Sequence, residues 1–236
     1  MPSRVVKVVA SIIGGGLVAC IVLVMIVIGL VPLLQVLYQG HLSHDFIDYA
    51  NRLSDSRTVN FQFEYPMVVY TTLLGTKKPP SAMFVTTHLL DFHIFATTPP
   101  MIARFLLQKF GITARVVCYD NYSRRPVTGK TVDRLVKEQI RIPRQHPQKL
   151  EYTRDQIALA LGRGESIILF CDTHRHRSDK RFRTFYAKLL EHFPQYPKCY
   201  VEMKAKRFSR NVHGIFHPPT LEVQKVIELH NKIVFT

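Results

Sequence analysis

His88, Asp91 and His93 stand within one short stretch, directly after the apolar run Phe84-Val-Thr-Thr87, and that combination can move protons. A His and an Asp three positions apart share a face if the stretch is helical. The carboxylate then fixes the imidazole tautomer and stabilises the imidazolium, so the pair can act as a general base toward a hydroxyl. A structural histidine beside an apolar strand would leave the same pattern. A second group, Phe170-Cys-Asp172-Thr-His-Arg175-His-Arg-Ser178, opens a polar loop after another apolar run. Arginine there can grip a phosphate with two parallel hydrogen bonds, and Asp172 can orient it. Asp172, His174 and His176 also read as metal ligands at alternate positions, with His88, Asp91 and His93 completing a two-metal hydrolase. Such hydrolases usually carry a tighter His-x-His-x-Asp-His cluster, and no metal is expected.

Something must hold these two groups at strand ends, and the hydrophobic pattern supplies it. Ser166 to Cys171 is the clearest buried strand, and Ser81 to Thr87, Val116 to Tyr119 and Cys199 to Met203 are further apolar strands. Arg141 to Arg144 reads as a short extended piece. Phe61 to Leu74 alternates as strands do, with a break at Pro66 and a turn at Gly75 to Pro80. Helices are predicted over Asp45 to Phe63, where Phe46, Tyr49, Ala50 and Leu53 recur at helical spacing, and over His88 to Phe110, interrupted by Pro99-Pro100. Others are predicted over Thr131 to Glu138, Tyr152 to Leu161, ended by Gly162 and Gly164, Phe182 to Phe193, and Leu221 to Asn231. Strands alternating with helices imply an α/β domain with a mostly parallel sheet flanked by helices, whose sites form where strands end.

From Val8 to His44 there is no Asp, Glu, Lys or Arg. About 20 apolar residues cross a bilayer core as a helix, so residues 1–40 read as a retained transmembrane anchor and 41–236 as one globular domain. Arg4 and Lys7 before the run, with Asp45 and Asp48 after it, put the amino terminus in the cytosol. A single crossing would place the domain in the lumen, where Asn121-Tyr122-Ser123 is a glycosylation acceptor, and a re-entrant hairpin would return it to the cytosolic face. The net charge is +15, and residues 130–212 carry 19 Lys and Arg against 9 Asp and Glu. Beside an anchor, that excess suits anionic lipid headgroups or phosphate-bearing substrates. Nucleic acid is not expected, because the basic residues are dispersed. Cys20, Cys118, Cys171 and Cys199 have neither metal-ligand spacing nor a disulfide framework and read as buried or unpaired thiols.

The blocks Thr87-His88-Leu-Leu-Asp91-Phe-His93, Ile142-Pro-Arg144 and Leu169-Phe-Cys-Asp172-Thr-His-Arg175, in that order, resemble those of a known family. Membrane-anchored 1-acyl-glycerol-3-phosphate acyltransferases carry Asn-His-x4-Asp, then an Arg-bearing block, then Phe-Cys-Glu-Gly-Thr-Arg. The similarity is to the eukaryotic branch that includes lysophosphatidic acid and lysocardiolipin acyltransferases. Phe110-Gly111 matches a Phe-Gly of the family, and Lys204-Ala-Lys-Arg-Phe208 resembles its Pro-Arg-Thr-Lys-Gly-Phe. The resemblance covers roughly residues 40 to 212 and implies a glycerolipid acyltransferase-like fold in the endoplasmic reticulum membrane.

It further implies transfer of an acyl chain from acyl-CoA, a co-substrate and not a bound cofactor, to the hydroxyl of a lysophospholipid. His88 would be the general base, and Arg144, Asp172 and Arg175 would bind the glycerol phosphate. The family's catalytic Asp falls at His93 in this chain, so Asp91 would supply the carboxylate from a shifted position. Asp172 shortens the family's Glu, and Thr173 stands where the family has Gly. A chain that keeps the fold but, without turnover, only binds anionic lipid membranes or a partner is the alternative.

Overall fold

The computed structural model describes residues 15–24, 34, 38–39, 41–54, 59–66, 70, 81–87, 98–119, 138–143, 145–171, 182–205 and 212–235. Residues 15–24 are helical, with Leu17, Val18, Ile21, Val22, Leu23 and Val24 all exposed. No helix among the described residues is long and apolar enough to cross a membrane, and most of the expected anchor lies outside them.

Helix α1, Phe46–Ser54, begins where Asp45 can cap it. The Asp45 carboxylate accepts the backbone N–H groups of Ile47 and Asp48, both at 2.8 Å, satisfying two donors that a helix start leaves open. The helix buries Phe46, Tyr49 and Ala50 on one side. It stops at Ser54, nine residues short of the predicted end, because Val59–Phe63 forms strand β1 instead. Phe61 and Phe63 pack inward from β1 while Asn60 and Gln62 face out, the period of two that a half-buried strand needs.

Strand β2 is Met83–Thr86 and helix α2 is Thr98–Phe110. Pro99 and Pro100 open α2 where they were expected to interrupt a longer helix, since first-turn N–H groups have no partner inside a helix to lose. The part of that prediction over residues 88–97 lies outside the described residues. Gly111, at φ +67°, ends α2 and donates its N–H to the Leu107 carbonyl at 2.9 Å, turning the chain into strand β3, Ala114–Tyr119. Strand β4 is Ile140–Ile142, and helix α3 is Lys149–Gly162, beginning three residues before the prediction. Gly164, at φ +82°, makes the equivalent turn from α3 into strand β5, Ser166–Phe170. Helix α4, Thr184–Glu191, strand β6, Lys198–Ala205, strand β7, Val212–Phe216, and helix α5, Val223–Phe235, complete the order. Strand β7 has no counterpart among the predicted elements.

The seven strands form one sheet in the order β1-β7-β6-β2-β5-β3-β4. Every neighbouring pair is parallel except β6 and β7. One face packs Phe84, Val116, Ile168, Phe170, Val201 and Phe216 under α1 and α2. The other packs Met83, Val85, Ile167, Leu169 and Tyr200 under α3, α4 and α5. Burial on both faces explains why β2 and β5 carry the apolar runs Met83 to Val85 and Ile167 to Phe170, with every strand residue buried.

The amino edge of the parallel strands is closed by charge. Arg115, early in β3, forks onto Glu165, just before β5, with Nε to Oε2 at 2.6 Å and Nη2 to Oε1 at 2.8 Å. Arg115 also donates to the Glu138 carbonyl at the approach to β4, and Arg163 adds a 3.2 Å contact to Glu165. The carboxyl edge, where β2, β5, β3 and β4 end, is where the sequence places its reactive blocks.

Candidate functional site

His88, Asp91, His93, Arg144, Asp172 and Arg175 all lie outside the described residues. What the structure fixes is the set of strand ends from which their segments start. Thr86 and Phe170, the last residues of β2 and β5, are register partners in adjacent parallel strands. The chain leaves the described residues after Thr87 on one strand and after Cys171 on the next. On the other side of β5, Val116 of β3 is opposite Ile168, and Tyr119 is opposite Ile142 of β4, two positions before Arg144. The three blocks therefore begin from one edge of one sheet, with the His block and the Asp block on neighbouring strands.

Thr86 anchors the first of these ends. Its hydroxyl donates to the Val201 carbonyl of β6 at 2.7 Å, and its own carbonyl accepts from β5. Cys171 supplies both donors to that carbonyl, its N–H at 3.0 Å and its thiol at 3.3 Å. The Cys171 carbonyl in turn accepts the N–H of Arg183 at 3.0 Å. Residues 171 and 183 thus pinch together the two ends of the segment that carries Asp172 and Arg175.

Behind this neck runs a row of polar side chains, buried at His230, Tyr200, His217 and Glu202 and reaching solvent at Glu64 and Lys204, that sequence reasoning did not find. His230 of α5, with no exposed surface, places Nδ1 3.4 Å from the Cys171 sulfur and 3.2 Å from the Tyr200 hydroxyl. The Tyr200 ring lies 5.8 Å from the ring of His217, which follows β7. His217 meets Glu64 through Nδ1 at 2.7 Å and Glu202 through Nε2 at 3.4 Å, and Lys204 contacts Glu202 at 2.8 Å. The Glu64 carboxylate orients the His217 ring through Nδ1, while Nε2 faces Glu202 without a hydrogen bond, and the group brings the ends of β1 and β7 against β6. Nothing in the spacing of residues 64, 202 and 217 announces this joint, because it exists only once three strands are aligned.

Burial controls the ionisation of several groups around the sheet. It pushes the Cys199 thiol far up, so that this cysteine stays protonated and inert. It also raises the Tyr70 phenol, whose hydroxyl donates to the Phe216 carbonyl at 2.6 Å. Lys198, fully buried at the start of β6, is lowered by the same desolvation and donates to the carbonyls of Phe193, Tyr196 and Leu221 at 2.8, 2.9 and 3.1 Å. At the amino edge, the Arg115 guanidinium holds the Glu165 carboxyl below the usual carboxylate range, with Arg163 assisting. Cys118, Cys171 and Cys199 are buried and Cys20 is exposed. Among the described residues, no three His, Cys, Asp or Glu side chains gather to hold a metal ion.

The fold defines the class: an α/β protein with a mostly parallel seven-stranded sheet between helical layers. The chain matches no protein-family model and no curated protein sequence.

Proposed function

We propose that this protein is a membrane-bound acyltransferase that moves an acyl chain from acyl-CoA to the hydroxyl of a lysophosphatidate-like lysophospholipid, in phospholipid synthesis or remodelling. The observation that carries the reading is the pairing of Thr86 with Phe170, from which the His88 and Asp172 blocks set out side by side. Carboxyl ends of parallel strands are where α/β folds assemble sites, because loops converge there on a rigid frame. In this mechanism His88 takes the proton from the acceptor hydroxyl as its oxygen attacks the thioester carbonyl. The tetrahedral intermediate then expels the CoA thiolate, which takes the proton back from the imidazolium. Asp91 stabilises that imidazolium, and Arg144 and Arg175, with Asp172 orienting, hold the phosphate.

The same reading assigns residues 1–40 as the anchor, single-pass or re-entrant, in the endoplasmic reticulum membrane. The exposed apolar side chains of residues 17–24 support it, since a helix so apolar all round is stable against lipid and not against water. His93 at the position of the family's Asp favours a second reading, in which the domain binds anionic lipid without turnover.

Acyl transfer from labelled oleoyl-CoA to lysophosphatidic acid and lysocardiolipin, by membranes containing the full chain or its His88→Ala variant, separates the two. Signal that vanishes with His88 supports the enzyme. Absence of signal in a protein that still binds anionic vesicles supports the binding module.

A further inference from the structure

His230 touches both ends of the segment between Cys171 and Phe182. Its Nδ1 lies 3.4 Å from the Cys171 sulfur, and the Phe182 ring meets its imidazole edge-on at 5.3 Å between centroids. Between these two ends the backbone closes on itself through the Arg183 N–H to Cys171 carbonyl bond. The imidazole also faces Tyr200, hydroxyl to Nδ1 at 3.2 Å and rings 5.9 Å apart, so β6 backs it up. The side chain comes from α5, far along the chain from either end of the segment it contacts. An imidazole buried between α5 and the sheet is expensive to desolvate, and a leucine would fill the space without that penalty. What leucine lacks is a polar atom at the point where the thiol and the phenol meet.

We propose that His230 is a positioning residue: it clamps Cys171 and Phe182 together, so that the C-terminal helix fixes the two points between which residues 172–181 run. Cys171 transmits the setting, because its N–H and thiol are both bound to the Thr86 carbonyl, one residue before Thr87-His88. A shift of the imidazole therefore displaces the end of β5 and, through Thr86, the end of β2. The effect on phosphate binding rests on the acyltransferase reading; the clamp itself does not.

The test uses the full chain in lipid nanodiscs and reads backbone hydrogen exchange in peptides covering residues 166–171 and 182–190. His230→Leu is expected to accelerate exchange in both by about tenfold, the loss of one buried hydrogen-bonded contact, while the 114–119 peptide is unchanged. His230→Asn, whose amide occupies the place of Nδ1, is expected to restore protection, and His230→Gln, whose amide reaches the place of Nε2, is not. Val226→Ala removes core volume from the same helix and should not single out the neck. Equal neck exchange in wild type and His230→Leu overturns the proposal, as does the same local pattern in Val226→Ala. If His230→Leu fails to fold, the Asn and Gln pair decides, and equal neck protection in those two counts against the clamp. In acyl transfer, His230→Leu should raise KM for lysophosphatidic acid and leave KM for acyl-CoA alone. A wild-type protein without acyl transfer would defeat the acyltransferase reading and leave the exchange result to judge the clamp.

Discussion

Cys171 gives two hydrogen-bond donors to a single acceptor: its N–H, at 3.0 Å, and its thiol, at 3.3 Å, both reach the Thr86 carbonyl. The relationship makes the last turn of two neighbouring strands a shared unit. Cys171→Ala keeps the backbone bond and removes the thiol together with its packing, and should destabilise the fold by about 1–2 kcal/mol. Urea unfolding would measure it, and an unchanged midpoint would show that the sulfur contact carries no energy.

At the opposite edge the sign of a pH effect can be worked out. Arg115 holds the Glu165 carboxyl below its ordinary value of 4.5. A carboxylate lowered in the folded state stabilises the fold above the unfolded value, and that contribution fades as pH falls through the folded one. Glu165 is partly buried, so the contribution is on the order of 1 kcal/mol. Stability measured from neutral pH downward should decline through this acidic window in the wild type, and less steeply in Glu165→Gln.

Lys198 spends all three ammonium protons on the carbonyls of Phe193, Tyr196 and Leu221. It ties the turn before β6 to the segment before α5. Lys198→Met has similar bulk and no donors, so three hydrogen bonds are lost, although the Phe193 carbonyl keeps the Tyr196 N–H, and stability should fall by about 3 kcal/mol. Thermal unfolding would report the loss, accompanied by weaker protection of α5 from exchange.

Gly214 of β7 lies under the Phe61 ring, which stacks at 4.4 Å on Phe105 of α2. A methyl group at residue 214 would fall inside van der Waals distance of that ring. Gly214→Ala should therefore cost about 1–3 kcal/mol through overpacking. Adding Phe61→Leu should recover part of it, and a double variant no more stable than Gly214→Ala would argue against the clash.

If the acyltransferase reading holds, Arg144→Ala removes a charge-assisted contact to the acceptor phosphate. Such a contact contributes about 1.5–3 kcal/mol, so KM for lysophosphatidic acid should rise at least tenfold, with KM for acyl-CoA unmoved. A parallel rise in both constants would remove Arg144 from the phosphate site.

Elements buried on both faces were legible because their composition leaves no alternative: Ser-Ile-Ile-Leu-Phe in β5 has no polar interior to offer a surface. Strand β7, Val-His-Gly-Ile-Phe, was not, since His213 faces out and Gly214 is there for close packing that only its neighbours reveal. The helix expected to run to Phe63 overlapped the alternating stretch that begins at Phe61, and pairing with β7 decides for the strand. For the site, a sequence shows which blocks follow which strands. It does not show His230 beside Cys171, because 59 positions separate them and only the docking of α5 brings them together.

The Arg115–Glu165 lock lies at the rim of the sheet opposite the one from which the segments after Thr87 and Cys171 set out. Residues that hold the frame together are therefore not the residues that a change of ligand would ask to vary. A lineage carrying this scaffold can rewrite positions such as 93 or 173 while the frame remains intact, exploring new chemistry from a fold whose survival does not depend on the outcome.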